Sequence, residues 1–95
     1  MDKDYLKYTE MAELLKVLAH PVRLCIVRGL IENGGCNVTH MQDCLNIPQS
    51  TISQHLQKLK TAGVIKGKRN GLEIKYSVCN EDIIKLVKNM FNLEG

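Results

Sequence analysis

Apolar residues recur along this 95-residue chain with two periods, and the change of period marks the elements. Tyr8, Met11, Leu15 and Leu18, with Leu14 beside them, follow the three-to-four spacing of one helical face, which predicts a first helix over about Asp4 to Leu18. His20-Pro21 ends it, because the residue before proline avoids the helical region. Pro21 then suits the first turn of a second helix. That helix buries Leu24, Val27 and Ile31, with Ile26 and Leu30 alongside, and stops at Asn33-Gly34-Gly35. Asn37 is a natural N-cap for a short third helix ending near Leu45, with Val38, Met41 and Leu45 inward. Asn46-Ile47-Pro48 makes a turn, and a fourth helix runs from Gln49 until Gly63 ends it.

The period then falls to two. Ile74, Tyr76 and Val78 share one strand face, and Glu73, Lys75 and Ser77 the other. Asn70-Gly71 lies between this strand and Val64 to Arg69, and predicts a hairpin with that pair at the centre of a type I′ turn. A last helix starts near Asn80, with Glu81 and Asp82 at its positive end. Its stripe is Ile83, Val87, Met90 and Phe91, widened by Ile84 and Leu86.

The fourth helix is the most informative stretch. Ile52, Leu56 and Leu59 form its apolar stripe, and at about 100° per residue Ser50, Gln54, Gln57 and Lys58 point the opposite way. That outer face holds amides, hydroxyls and an ammonium, and no carboxylate. A helix entering a DNA major groove needs donors and acceptors for base edges and no negative charge near phosphate. A short helix, a tight turn and this polar-faced helix follow in the order of a helix-turn-helix. The hairpin behind them, with Lys68, Arg69 and Asn70 at its tip, is placed as a wing.

Charge placement strengthens that reading. Residues 47–76 hold six Lys/Arg against Glu73 alone, a net of +5, whereas the rest of the chain holds seven against nine, a net of −2. A basic segment on a mildly acidic body is the footprint of a nucleic-acid binder, and equally of a solubilising face. Aromatic residues are 4% of the chain and Trp is absent, which leaves little for stacking on single-stranded bases. A-form RNA is a poor partner, since its major groove is too narrow for a helix bearing side chains.

The start Met-Asp-Lys-Asp is not that of a secretory signal, and no apolar run exceeds the four residues Leu24 to Val27. Four cysteines without a secretory signal point to reduced thiols and a cytoplasmic protein. No membrane partner and no cofactor are expected. No nucleophile–base spacing, phosphate loop or carboxylate pair suggests an enzyme.

Taken together, Leu18-Ala19-His20-Pro21-Val22-Arg23-Leu24, Gln49 to Leu56, Leu59 to Ile65 and Gly71 to Ser77 resemble the ArsR/SmtB family of winged helix-turn-helix repressors, over roughly Met11 to Leu86. The resemblance implies an α+β, mostly helical fold of about five helices and a two-stranded wing. Ninety-five residues make one domain, 1–95, with the helix-turn-helix at 37–62 and the wing at 64–78, and the resemblance adds dimerisation through the first and last helices, about 1–18 and 80–95. It also implies a homodimer that represses by occluding a promoter in double-stranded DNA and is released by an effector, here unknown. The apolar stripes agree, because one small core cannot cover both terminal helices.

The candidate DNA contacts are Gln49, Ser50, Thr51, Ser53, Gln54, His55, Gln57, Lys58, Lys66, Lys68, Arg69 and Asn70. Gln54 and Ser50 lie most nearly opposite the stripe. Ser53 matches the family motif as a phosphate contact, or is a surface hydroxyl. His55, on the flank, is a half-buried packing residue or a DNA contact. Gln49 and Thr51 bond phosphate or simply cap.

The family's switches are not matched. Its metal sensors often carry Cys-x-Cys at the start of the third helix, where this chain has Asn37 and Thr39. Others carry His on the last helix, which has none here. Cys36, His40 and Cys44 remain, spaced by four and suited to zinc, although Cys44 is expected to pack inward as a small apolar residue. Relatives that sense oxidants pair a cysteine on the second helix with one on the last; here Cys25 lies on the second and Cys79 just before the last. Two alternatives to a plain repressor therefore stand: a thiol- or metal-responsive sensor of the same fold, and a dimeric module that no longer binds DNA.

Overall fold

The computed structural model describes residues 3–93. Four of the five helices start where a side chain takes up an otherwise unpaired N–H. Helix α1 is Tyr5–Leu18, capped by Asp4, whose carboxylate accepts from the Lys7 N–H at 3.3 Å. Helix α2 is Pro21–Asn33, and the Nδ1 of His20 accepts from the Val22 N–H at 3.1 Å. Helix α3 is Val38–Leu45, and the Asn37 Oδ1 accepts from the His40 N–H at 2.9 Å. Helix α5 is Glu81–Met90, capped in the same way by Asn80 on Ile83. Helix α4, Gln49–Thr61, differs: Pro48 precedes it and no side chain caps it. Gly34, at φ +70°, ends α2 in the left-handed conformation that glycine adopts without strain.

Strands β1 (Ile65–Asn70) and β2 (Glu73–Val78) form an antiparallel hairpin in which Ile65 faces Val78 and Asn70 faces Glu73. The turn therefore centres on Gly71-Leu72, not on Asn70-Gly71. Only Gly71, at φ +69°, has a positive φ there, the pattern of a turn with glycine first. The two registers put the same residues on the same faces, so alternation could not separate them. Packing does: the observed register sets Gly67 opposite Tyr76, and a Cβ on Gly67 would sit 3.1 Å from the Tyr76 ring. Cys36 joins the sheet edge, exchanging backbone hydrogen bonds with Tyr76 at 3.1 and 2.9 Å.

All these elements close on one core. Val27 of α2, Ile52 and Leu59 of α4, Val64 just before β1, and Val87 of α5 have no exposed surface. Each large aliphatic side chain buried in this way contributes roughly 1.5–3 kcal/mol. On α2 the buried centre is Ile26, Val27 and Leu30, while Leu24 and Ile31 are half-buried. The stripe is turned from the expected one because α2 touches α1, α4, α5 and β2 at once. The α1 stripe behaves differently. Leu18 is buried, yet Tyr8, Met11 and Leu15 are 48%, 43% and 50% exposed, and Met90 of α5 is 54% exposed.

Candidate nucleic-acid interface

Helix α4 is fixed from beneath by its stripe: Ile52, Leu56 and Leu59 are buried. Gln49, Ser50, Ser53, Gln54, Gln57 and Lys58 are exposed, and Thr51 is half-buried. No side chain caps α4, so Gln49 and Thr51 do not act as caps; the Pro48 carbonyl accepts from the Thr51 N–H at 3.0 Å, which leaves the N–H groups of Gln49 and Ser50 at the positive end of the helix dipole. Gln57 is partly committed, donating from Nε2 to the Thr61 Oγ1 at 3.2 Å. Ser50 and Gln54 are exposed and lie most nearly opposite the buried stripe.

His55 turns away from that face. It is half-buried, and its ring meets the ring of His20 at 4.5 Å between centroids, tilted by 49°. Its Nδ1 is buried without a hydrogen-bond partner, as is the Nε of Arg23. Burial, then the positive potential of His20, Arg23 and Lys58, pushes the His55 pKa below the ordinary histidine value. The His20-Pro21-Val22-Arg23 stretch thus does two jobs. It starts α2, and its His20 ring packs on His55 at the flank of α4.

The hairpin register sorts the wing. Lys66, Lys68 and Asn70 alternate onto one face together with Glu73, Lys75 and Ser77, and Arg69 falls on the other with Ile74 and Tyr76. Lys68 lies directly opposite Lys75. Lys75 was absent from the sequence candidates, since only the register shows that it extends the lysine face. Glu73, on the same face, accepts a 3.1 Å hydrogen bond from the Asn37 Nδ2. Lys66, Lys68, Arg69 and Asn70 are all exposed.

The cysteines are all free thiols. Cys36 precedes α3 and is half-buried, and burial, with Cys44 beside it, pushes its pKa up. Cys44 is exposed rather than packed inward: Met41 takes the buried position on α3, and Cys44 falls on its flank at the edge facing α2. Its Sγ is 3.8 Å from the His40 Nε2. Cys25 is exposed on α2, and Cys79 donates its S–H toward the carbonyls of Gly63 and Val64. Among the described residues, no group of three or more His, Cys, Asp or Glu stands close enough to hold a metal ion.

Residues 18–68 match the model of a helix-turn-helix domain family. The chain is 48% identical over 87 residues to the transcriptional repressor PagR of Bacillus anthracis, an alignment covering 88% of this chain and 87% of PagR. The chain belongs to the ArsR/SmtB family of winged helix-turn-helix transcriptional repressors. It is 44% identical to the repressor SmtB of Mycobacterium tuberculosis over 79% of its own length, and spans 55% of that protein. The PagR crystal structure superposes with a TM-score of 0.83 at 44% identity, covering 92% of this chain and 99% of PagR. The repressor BigR of Xylella fastidiosa matches at 0.83 and 32% identity, over 100% of this chain and 98% of BigR. A homodimeric winged helix-turn-helix domain of Mycobacterium bovis, described as a possible ArsR-family regulator, matches at 0.83 and 26%, over 98% and 85% of the two chains. The family is one of DNA-binding transcriptional regulators. Among the described residues no helix is long and apolar enough to cross a membrane.

Proposed function

We infer that this protein is a homodimeric, sequence-specific repressor acting on chromosomal DNA in the cytoplasm. One observation carries the reading. The outer face of α4 is polar, acid-free and exposed while its inner stripe is fully buried, so the helix is held rigidly with a DNA-compatible surface outward.

The exposed stripe on α1 and the exposed Met90 of α5 support a two-fold partner that covers them. The dimer presents two α4 helices to successive major grooves about 34 Å apart, so the operator is an imperfect palindrome. Ser50 and Gln54 meet base edges. Ser53, Gln49, Thr51 and the open α4 N–H groups meet phosphate, and Lys58 and Gln57 flank them. On the wing, Lys66, Lys68 and Lys75 face the backbone beside Asn70, with Arg69 at the tip. Two lysines directly opposite each other cost the isolated sheet stability, and phosphate between them offsets that cost. His55 supports α4 from the side instead of touching DNA.

The test is selection of bound fragments from genomic DNA, with footprinting. A protected two-fold site with half-sites one helical turn apart is the expected result. Binding that ignores sequence, or a monomer on DNA, overturns the reading.

A further inference from the structure

Three of the four cysteines gather around one small cavity: Cys36 and Cys44, which the four-residue spacing already placed near each other, and Cys25, which no spacing in the chain brings to them. The cavity lies between α2 and α3 and holds about 90 Å³. Cys25, Cys36 and Cys44 line it together with Ile26, Leu30 and Met41. Cys25 comes from α2, Cys36 from the link to α3, and Cys44 from the end of α3. His40 stands at its edge, one turn before Cys44, with the two side chains in contact at 3.8 Å.

The thiols are not equivalent. Cys36 is held protonated by burial and by its neighbour Cys44, which makes it a poor nucleophile. Cys79 is tied to two backbone carbonyls. Cys25 is exposed, but among the described residues no basic side chain lies within hydrogen-bond range of it. Only Cys44 joins exposure to an imidazole that can take its proton, the pairing that activates a thiol nucleophile.

We propose that Cys44, with His40 as its proton acceptor, is a covalent modification site for small organic disulfides, and that the adduct weakens DNA binding. The second half rests on the repressor reading above. The Cys44 S–H gives its proton to the His40 Nε2, and the Cys44 sulfur attacks one sulfur of R–S–S–R. A Cys44–S–S–R bond forms and the original S–S bond breaks. The departing R–S⁻ takes the proton from His40 and leaves as R–SH. The organic disulfide is the oxidant: the Cys44 sulfur is oxidised and the departing sulfur is reduced. Disulfides fit better than alkylating agents because Cys25 and Cys36 border the same cavity, so the adduct can be passed on or removed by a thiol. The cavity offers about three water volumes of space. A short carbon chain fills it, and a larger group levers α3, and α4 packed on it, away from α2.

The experiment treats the protein with 2-hydroxyethyl disulfide and follows adducts by intact mass and peptide mapping. One adduct forms first, on Cys44, and dithiothreitol removes it. His40→Gln slows that reaction by about tenfold or more while leaving the rate at Cys25 unchanged. Faster reaction at Cys25 or Cys79, or an unchanged rate in His40→Gln, overturns the site. In the DNA arm, the treated wild type loses affinity for a selected operator fragment by at least about tenfold, a shift of roughly 1.4 kcal/mol. Treated Cys44→Ser keeps its affinity. Adducted protein that binds as well as untreated protein overturns the regulatory half. Untreated protein that binds no fragment overturns the repressor reading and the regulatory half together, and the mass readout still decides the Cys44–His40 pair.

Discussion

The rings of His20 and His55 touch at 4.5 Å, joining the turn before α2 to the flank of α4. The His20 Nδ1 accepts the Val22 N–H and so caps α2. Around His55 stand His20, Arg23 and Lys58, all cationic or able to become so. The folded state therefore favours neutral His55. Its pKa is lowered from the ordinary 6.5, so the folded protein binds fewer protons than the unfolded chain in that range. Stability is full above 6.5 and falls as pH drops through that value toward the lowered folded pKa. A series of melting temperatures between neutral and mildly acid pH should show the decline, and His55→Gln should flatten it. An equal slope in the variant would move the effect elsewhere.

Gln54 is open on the outer face of α4 and shows no competing hydrogen bond. Gln54→Ala should cost roughly 1–3 kcal/mol on the operator if it reads a base. Titrations on operator and on random DNA separate the roles. Equal losses on both would make Gln54 a backbone contact.

On the wing, the register separates Lys68 and Lys75 from Arg69. Removing Lys68 and Lys75 together should flatten the salt dependence by about one unit per lysine in each half-site. Arg69→Ala should change it less. A slope that responds only to Arg69 would mean that the opposite face of the hairpin meets DNA.

Two glycines make opposite predictions. Gly29 lies inside α2 without a special φ, and a Cβ there meets nothing within 4 Å. Gly29→Ala should stabilise the fold by about 0.5–1 kcal/mol. Gly35 sits at φ +120°, where a Cβ would fall 2.9 Å from the Tyr76 carbonyl oxygen. Gly35→Ala should destabilise by about 1–3 kcal/mol, because it forces apart the Cys36–Tyr76 bridge. Denaturant midpoints of the two variants decide both.

Leu15 is half exposed on the α1 stripe. Leu15→Glu should leave the fold of each chain intact, by circular dichroism, while sedimentation shows monomer. Unaltered dimers would place the partner on another surface.

Much of this molecule was written in its local chemistry. The caps Asn37 and Asn80, Pro21 at the start of α2 and Gly34 at its end act within one turn of themselves, so the sequence sets those boundaries. The Ile52, Leu56 and Leu59 stripe did the same for the face of α4, because a helix with one apolar side has one way to pack. What needed the tertiary structure were relations between residues far apart in the chain. Alternation cannot tell apart two hairpin registers that differ by two residues, so the Lys68–Lys75 pairing emerged only when Gly67 made room for Tyr76. That the His55 ring packs on a second ring depended on His20 arriving from the turn before α2. The cysteine cluster arose because α2 and α3 close on one cavity and turn Cys25, Cys36 and Cys44 toward it. Short-range hydrogen bonding and periodicity are properties of a segment; which flanks meet is settled by how the segments jointly bury their apolar surface.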